Sequence, residues 1–388
     1  MEHLINKQVQ QIEISGIRRF FNLVAGIEGM VSLTLGQPDF PTPAHVKEAA
    51  KTAIDAGFTN YTHNAGFLEL REAASEFYRK KYNVSFSPDS EVIITNGASQ
   101  GIDSALRTIL NEGDEVILPG PVYPGYEPII RLCGATPVIA DTVQNGFKLD
   151  AGVLKEYITC RTKCIILPYP SNPTGVSLTP RELEEIAELL RGKEVFILAD
   201  EIYSELTYDR KHISIASYLK EQTIVINGLS KSHSMTGWRI GMVFAPENIA
   251  KHILKVHQYN VSCASSISQK AAFEALTNGI DDADDMRNEY KKRRDFVSGK
   301  LTAMGFDIIL PDGAFYFFVK VPDIYQGDSF SFALTLAQQY KTGVVPGSSF
   351  SSAGEGFFRL SYACSMEELK MGMERLEAFL RDLGLKSH

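Results

Sequence analysis

The sequence predicts an α/β protein, with a large domain built on a mainly parallel, seven-stranded sheet flanked by helices and a small α+β domain beside it. Seven short apolar runs alternate with helical stretches between residues 91 and 245. Runs that are apolar throughout are typical of strands buried on both faces of a parallel sheet. At 388 residues, the chain also exceeds the size at which a single hydrophobic core usually divides.

The elements of the large domain follow in order. Helices are expected at 13–28, 44–57, 66–82, 99–111 and 180–191. A capping box formed by Thr179 and Glu182, with Pro180 at the first helical position, opens the last of these. The apolar runs predict strands at 91–95, 115–119, 136–141, 163–168, 194–200, 223–228 and 240–245.

The pattern changes near residue 285. A long helix is predicted over 286–304, with Met286, Tyr290, Val297, Leu301 and Met304 on one face. Strands at 313–321, 344–347 and 357–363 then alternate with helices at 328–341 and 365–382. We therefore expect residues 31–285 to form the large domain. Residues 286–388 would form the small one, together with an N-terminal arm over 1–30.

Composition and charge restrict the classes of function. The formal net charge of −8 argues against a nucleic-acid or anionic-membrane partner. No apolar run reaches bilayer length, and the first residues lack the pattern of a secretion signal, so a cytoplasmic protein is expected. Among five cysteines only Cys160 and Cys164 are close, with no second pair to complete a zinc site. No metal is expected.

The strongest candidate for chemistry is the segment 228–241, which directly follows a predicted buried strand. Lys231 lies just past the strand end among small residues, where its amine can reach a cleft. Arg239, eight residues later, could return to the same cleft and pair with a phosphate. Taken alone, the segment also fits an exposed Lys and Arg in a surface loop, because lysine is usually exposed.

This segment resembles the lysine signature of class I and II aminotransferases, and the rest of the chain agrees with that family, in order, over nearly all of its length. The resemblance implies fold type I of the pyridoxal-phosphate enzymes and transfer of an amino group between an L-amino acid and a 2-oxo acid. It implies pyridoxal 5′-phosphate as cofactor and 2-oxoglutarate with glutamate as one substrate pair. Lys231 would hold the cofactor as a Schiff base and, once freed, move the proton at the substrate α-carbon.

The same resemblance assigns residues around the cofactor ring. Asp200, in Asp-Glu-Ile-Tyr, would pair with the pyridine nitrogen; alone, it would be interpreted as a helix cap. Tyr203 and Asn172 would donate hydrogen bonds to the phenolic oxygen of the ring, and Tyr123 would stack on the ring. Lys231, Asp200 and Tyr203 form the expected catalytic set.

The phosphate of the cofactor would bind where a predicted strand meets the helix 99–111. Backbone N–H groups at a helix N-terminus bind anions, and a turn of small residues lets a phosphate approach. Ala98 and Ser99 match the phosphate contacts of the family, and Ser230 and Arg239 would complete the site. Gly228 departs from the pattern, because many relatives have Ser or Thr there.

Substrate binding and assembly also follow from the resemblance. Arg359 matches the arginine that binds the substrate α-carboxylate, for which a guanidinium is well shaped. Gly36 matches a glycine that lets this carboxylate approach, and Asn172 also faces the substrate. Tyr61 matches a tyrosine that reaches the phosphate of the neighbouring subunit, which implies a homodimer with shared active sites. The arm 1–30 is expected to help cover each site.

The candidate residues are expected to converge. Residues 96–99, Asn172, Asp200 and Lys231 each follow the carboxyl end of a predicted strand, the edge where open α/β sheets bind ligands. His233 is expected to face away from this edge. The basic run 291–294 is interpreted as an exposed helix face.

Alternatives remain open. A carbon–sulfur lyase or a decarboxylase would share the lysine and the aspartate, because the cofactor carries the chemistry. A pyridoxal-phosphate-binding regulator would need an added DNA-binding module, for which the chain has no evident segment. Within the aminotransferases the chain resembles the aromatic and aspartate branch. More narrowly, its stretches PGPVYPGY and LSKSHSMTGWR resemble N-acetyl-LL-diaminopimelate aminotransferases of lysine biosynthesis.

Overall fold

The computed structural model describes residues 1–385 and contains three sheets. The strands are β1 (Val31–Ser32), β2 (Val92–Thr95), β3 (Glu115–Gly120), β4 (Thr136–Asp141), β5 (Thr162–Leu167), β6 (Phe196–Asp200), β7 (Thr223–Gly228), β8 (Gly241–Phe244), β9 (Tyr316–Lys320), β10 (Thr342–Gly343), β11 (Val345–Pro346) and β12 (Phe357–Ser361).

The main sheet has seven strands in the order β2-β8-β7-β6-β5-β3-β4. Strand β8 runs antiparallel to both of its neighbours, and the other strands share one direction. All seven predicted strands are present, each within two residues of its expected ends. The prediction of a mainly parallel, seven-stranded sheet is therefore confirmed.

Helices cover both faces of this sheet and continue after it. They are α1 (Lys7–Gln10), α2 (Gly16–Val24), α3 (Ala44–Asp55), α4 (Leu68–Tyr82), α5 (Ala98–Ile109), α6 (Tyr126–Leu132), α7 (Ala151–Tyr157), α8 (Pro180–Leu190), α9 (Ala216–Leu219), α10 (Glu247–Val261), α11 (Ser266–Thr277), α12 (Ala283–Ala303), α13 (Ser329–Tyr340) and α14 (Met366–Asp382). The capping box of α8 forms as predicted. Within residues 1–385, no helix is both long and apolar enough to cross a bilayer.

A second group of elements packs around its own hydrophobic core. Strands β11, β12 and β9 form a three-stranded antiparallel sheet, and β1 pairs with β10 in parallel. The core includes Phe20 and Val24 of α2, the predicted apolar face of α12, and residues of α13 and α14. The arm therefore packs on C-terminal elements. The exact domain boundaries stay a prediction.

One sequence interpretation is wrong. The basic run 291–294 is not simply an exposed helix face, because Arg293 and Arg294 are 7% and 3% exposed. Arg293 contacts Asp39 across 2.8 Å, and Arg294 contacts Asp209 across 2.7 Å. These ion pairs allow the two guanidinium groups to be buried.

Candidate active site

A large cavity, about 740 Å³ in volume, lies at the carboxyl edge of the main sheet. Parallel strands place their carboxyl ends on one side, so the residues that follow several strands meet there. The cavity is lined by nearly all of the predicted site residues, namely Ala98, Ser99, Tyr123, Asn172, Asp200, Tyr203, Ser230, Lys231, Arg239, Arg359 and Gly36. The expected convergence is therefore present.

Lys231 lies three residues beyond the end of β7. Its Nζ donates a 2.5 Å hydrogen bond to the backbone carbonyl of Gly36, which lies in the loop after β1. Burial lowers the pKa of this amine to about 8, the positive charge of Arg359 acts in the same direction, and Asp200 opposes both. The neutral amine, the form that attacks carbonyl groups, is therefore about a tenth of the total at pH 7, far more than for an ordinary lysine.

Asp200 is the last residue of β6 and is 7% exposed. Burial raises the pKa of its carboxyl group to about 6, although two hydrogen bonds act to lower it. The hydroxyl of Tyr126 donates one to Oδ2 at 2.7 Å, and the backbone N–H of Ile202 donates the other to Oδ1 at 3.2 Å. A buried carboxyl group held in this way suits a cationic partner inside the cavity.

An anion site forms where β2 meets α5. Gly97 takes a left-handed conformation, with φ of 82°, and α5 begins at Ala98 with no side-chain cap on its free N–H groups. The guanidinium of Arg239 lies directly against Gly97, and its Nη1 donates to the carbonyl of Thr236 at 2.9 Å. Arg239 is itself left-handed, with φ of 53°, a conformation that few non-glycine residues adopt.

The backbone at the start of β8 lies against the backbone that joins β2 to α5 at this anion site. A Cβ atom added to Gly241, at the start of β8, would lie 2.5 Å from the backbone nitrogen of Ala98. Only glycine allows this approach, so β8 supports the first turn of α5 directly. Ser99 and Ser230 line the cavity beside the same helix end. A helix N-terminus, an arginine and two hydroxyls are together suited to a phosphate.

Arg359, on β12, is buried at 2% exposure. Its Nη2 donates to the carbonyl of Thr34 at 2.7 Å, and its Nη1 donates to Oδ1 of Asn172 at 2.9 Å. Its Nε has no hydrogen-bond partner among the described residues. Since a buried polar group without a partner is costly, this unpaired N–H fits an anionic ligand such as a carboxylate.

The residues of the predicted ring site are close together. The hydroxyl of Tyr203 lies 2.8 Å from that of Tyr316, and the guanidinium carbon of Arg359 lies 4.3 Å from the centre of the Tyr316 ring. Tyr123 lines the cavity, with its ring edge-to-face against Tyr126. Asn172 lines the cavity too, and its carbonyl oxygen accepts the hydrogen bond from Arg359.

Tyr61 alone stands apart from the other predicted residues. It is 87% exposed and does not line the cavity of its own chain. Its predicted contact with a neighbouring subunit stays a prediction.

Sequence reasoning missed several residues of the cavity. Tyr126, which donates to Asp200, lies in the quoted Pro-Val-Tyr-Pro-Gly-Tyr stretch, but only its first tyrosine was assigned. Tyr316 and Thr34 carry no local motif and act through contacts distant in sequence. The arm was expected near the site, and Ile17, Arg18, Phe20, Phe21 and Asn22 of α2 line it.

His233 is confirmed to face away from the cavity. Its Nε2 lies 2.8 Å from the carbonyl oxygen of Gly279, and its Nδ1 lies 2.8 Å from the hydroxyl of Ser232. Across residues 1–385, no cluster of three or more His, Cys, Asp or Glu side chains could hold a metal ion.

The chain is similar to known proteins over nearly its whole length. A family model described as aminotransferase class I and II matches residues 28–376. A probable N-acetyl-LL-diaminopimelate aminotransferase of Bacillus subtilis is 63% identical over 380 residues, which cover 98% of this chain and 96% of that protein. An aromatic-amino-acid aminotransferase of Thermococcus litoralis is 40% identical and covers 97% of this chain and 98% of its own.

Solved structures of aminotransferases are also similar to this chain. An aromatic aminotransferase from Pyrococcus horikoshii superposes with a TM-score of 0.89 at 38% identity, covering 95% of this chain and all of that one. An aspartate aminotransferase from Thermus thermophilus, solved with maleate, gives a TM-score of 0.91 at 35% identity. It covers 96% of this chain and 99% of that one.

Proposed function

This chain belongs to the class I and II aminotransferases, and we propose that it binds pyridoxal 5′-phosphate through Lys231. It is a transaminase whose substrates are amino acids and 2-oxo acids. The observation that carries the cofactor proposal is the amine of Lys231, with a pKa of about 8, inside a cavity that also holds a buried acid and an anion site.

The cavity fits this cofactor by its distribution of charge. The helix N-terminus at Ala98, with Arg239, Ser99 and Ser230, suits a phosphate. Asp200 is a buried acid that makes no ion pair with any residue in 1–385, and a protonated pyridine nitrogen would supply a cationic partner. When bound, pyridoxal phosphate withdraws electrons from the bonds at the substrate α-carbon and so makes the α-proton acidic.

Lys231 would act twice. As a neutral amine it would attach the cofactor, and once freed it would serve as the base that moves the proton at the substrate α-carbon. The carbonyl of Gly36, now 2.5 Å from Nζ, would hold the amine at this side of the cavity in the free protein. Burial favours both steps, because it lowers the pKa of the amine and so raises the neutral fraction above that of an ordinary lysine.

Four side chains would orient the ring of the cofactor. Asp200 would keep the pyridine nitrogen protonated, and Tyr203 and Asn172 would donate hydrogen bonds to the phenolic oxygen. Tyr123 would stack on the ring. In support, all four side chains line one cavity with Lys231, and the Lys231 amine lies 5.5 Å from the centre of the Tyr203 ring.

Arg359 would bind the α-carboxylate of each substrate. Its contacts with Thr34 and Asn172 fix the plane of the guanidinium before substrate arrives, which lowers the entropic cost of binding. Arg359 and Gly36 line the same cavity, so a carboxylate bound there would lie against the guanidinium.

For the physiological pair we propose N-acetyl-LL-2,6-diaminopimelate and 2-oxoglutarate, in lysine biosynthesis. The support is the identity of 63% to the Bacillus relative of that name. Aromatic amino acids and aspartate are the second candidate, since relatives of 40% identity carry those names. The relatives named here are aminotransferases, which favours transamination over the lyase and regulator alternatives.

We also propose a homodimer in which Tyr61 reaches the phosphate site of the partner subunit. Its hydroxyl-bearing ring is 87% exposed, and a large exposed tyrosine without a role in its own chain suits an interface. A cytoplasmic location, without nucleic-acid or membrane partners, stays a prediction.

The experiment that tests the cofactor site is reduction of the purified yellow holoenzyme with borohydride, followed by peptide mapping. The label should appear on Lys231, and Lys231→Ala should lose turnover completely. Lys51→Ala serves as control, because Lys51 is a surface residue paired with Glu48. A label on any other lysine would overturn the assignment.

The substrate is tested with a panel of amino donors and 2-oxoglutarate as acceptor, by measuring the glutamate formed. N-acetyl-LL-diaminopimelate should give the highest kcat/KM, ahead of aspartate and phenylalanine. Equal or higher values for aspartate or phenylalanine would replace the first candidate with the second.

A further inference from the structure

The cavity contains one cation that the proposed function leaves without a partner. Its lining includes four cationic residues, Arg18, Lys231, Arg239 and Arg359, and a single carboxylate, Asp200. Arg239 is matched by the cofactor phosphate, Arg359 by the substrate α-carboxylate, and Asp200 by the ring nitrogen. Arg18 remains, and a cation at a cavity wall favours an anionic ligand.

Arg18 lies in the first turn of α2, in the arm that covers the cavity. Among the described residues, no carboxylate lies within ion-pair distance of its guanidinium, whereas the next residue, Arg19, pairs with Glu13 at 3.4 Å. Arg18 is also near Tyr123. Burial raises the pKa of the Tyr123 phenol, and the charges of Arg239 and Arg18 act to lower it.

The part of α2 that lines the cavity is mostly apolar. Besides Arg18 it comprises Ile17, Phe20, Phe21 and the polar Asn22, and Ile102 of α5 lines the same cavity. An apolar wall that carries one guanidinium matches a methylene chain that ends in a carboxylate, because the chain can pack on the wall while the carboxylate pairs with the arginine.

We propose that Arg18 binds the carboxylate at the remote end of dicarboxylic substrates and so sets the preference of the enzyme for them. This proposal rests on the function given above. The substrate class consists of amino and 2-oxo acids with a second carboxylate, a class that includes glutamate, 2-oxoglutarate and the acylated diaminopimelate. Arg18 would then bind the remote carboxylate that both substrates of the exchange share, while Arg359 would bind the α-carboxylate.

The test compares Arg18→Met with Arg18→Lys and with Arg19→Met in the holoenzyme. Methionine keeps the length and apolar character of the arginine stem but removes the charge. Arg19→Met is the matched control, since Arg19 is the adjacent arginine and does not line the cavity. Cofactor absorbance shows that each variant is folded and loaded.

Two measurements separate the outcomes. Calorimetry gives the Kd of glutarate, a dicarboxylate that cannot react, and single-turnover kinetics give kcat/KM for glutamate and phenylalanine. In Arg18→Met, glutarate binding and kcat/KM for glutamate should each fall about 10- to 100-fold, while kcat/KM for phenylalanine stays within about twofold. Arg18→Lys should lie between, and Arg19→Met should match the unaltered enzyme.

Unchanged glutarate binding in Arg18→Met would overturn the proposal. An equal loss for glutamate and phenylalanine would overturn it too, because it would mean that α2 only closes the cavity. Failure of the proposed function is distinct: the unaltered enzyme would then transaminate no donor, yet glutarate binding would still report on Arg18.

Discussion

The hydroxyl of Tyr126 donates a 2.7 Å hydrogen bond to Oδ2 of Asp200, 74 residues away in sequence. Tyr126 is the first residue of α6, so its position is fixed by the helix that follows β3, whereas Asp200 ends β6. The bond therefore links the carboxyl ends of β3 and β6, which lie at the same edge of the sheet. Because it stabilises the ionised carboxyl group, it works against the effect of burial on the pKa of Asp200.

Replacement of Tyr126 by phenylalanine should therefore move the acidic limb of the kcat/KM profile to higher pH. The pKa of Asp200 is about 6 with the hydrogen bond present, and loss of a bond that lowers it leaves more of the group protonated at pH 6. Activity should fall severalfold at pH 6 and less at pH 8. Tyr82→Phe is the control, because Tyr82 is also buried and donates to Glu205 outside the cavity. A pH-independent loss would contradict this role.

The amine of Lys231 should react with acylating reagents in the cofactor-free protein with a midpoint near pH 8. Below that pH the amine is protonated and unreactive, so labelling measured by peptide mapping should rise as the pH increases. Asp200→Asn removes a negative charge and should lower the midpoint. Arg359→Met removes a positive charge and should raise it. Shifts in the same direction for both variants would show that charge does not control this amine.

Asp39 should contribute to stability through its contacts with α12. Its carboxylate accepts hydrogen bonds from Arg293 at 2.8 and 3.0 Å and from the hydroxyl of Tyr290 at 2.9 Å. Asp39→Ala leaves Arg293 buried without this partner and should lower the free energy of unfolding by about 2–4 kcal/mol. Thermal or denaturant unfolding measures it. Asp323→Ala, which breaks a surface pair with Lys320, should change little, and similar losses in both would refute the assignment.

A mixed dimer tests the role of Tyr61. Subunits with Tyr61→Phe are combined with subunits with Lys231→Ala, and the heterodimer is isolated. If Tyr61 serves the partner, both lesions fall in one site and the other site is intact, so about half of the sites should have normal phosphate affinity. If Tyr61 serves its own subunit, every site in the heterodimer carries one lesion. A titration with pyridoxal phosphate that finds no normal site would exclude the shared arrangement.

The main sheet could be predicted from sequence because its strands are buried on both faces and read as continuous apolar runs. The helices were harder to predict from the sequence. Helix α6 has no side-chain cap and carries Pro128 in its first turn, and α9 has only four residues. Helix α10, with buried Ile249 and Ile253 one turn apart, has a regular apolar face that could have been predicted and was not.

The site was predictable where a residue follows a strand end and lies in a recognisable motif, as Lys231 and Asp200 do. Contacts between distant segments were not. Asn172 and Arg359 are 187 residues apart, and nothing local in either segment indicates that they touch. The burial of Arg293 was not predicted for the same reason. Its partner Asp39 is 254 residues away, and a run of basic residues is ordinarily exposed.

The close contact of Gly241 with Ala98 also bears on how this enzyme could be redesigned. Backbone atoms occupy the space of any side chain at position 241, and the guanidinium of Arg239 fills that space at Gly97. Libraries that randomise these two glycines should consist almost wholly of inactive clones. Arg18, on helix α2, is instead exposed and lines the same cavity. Directed evolution of new substrate range therefore has its most tolerant starting point in the arm, far in sequence from the lysine.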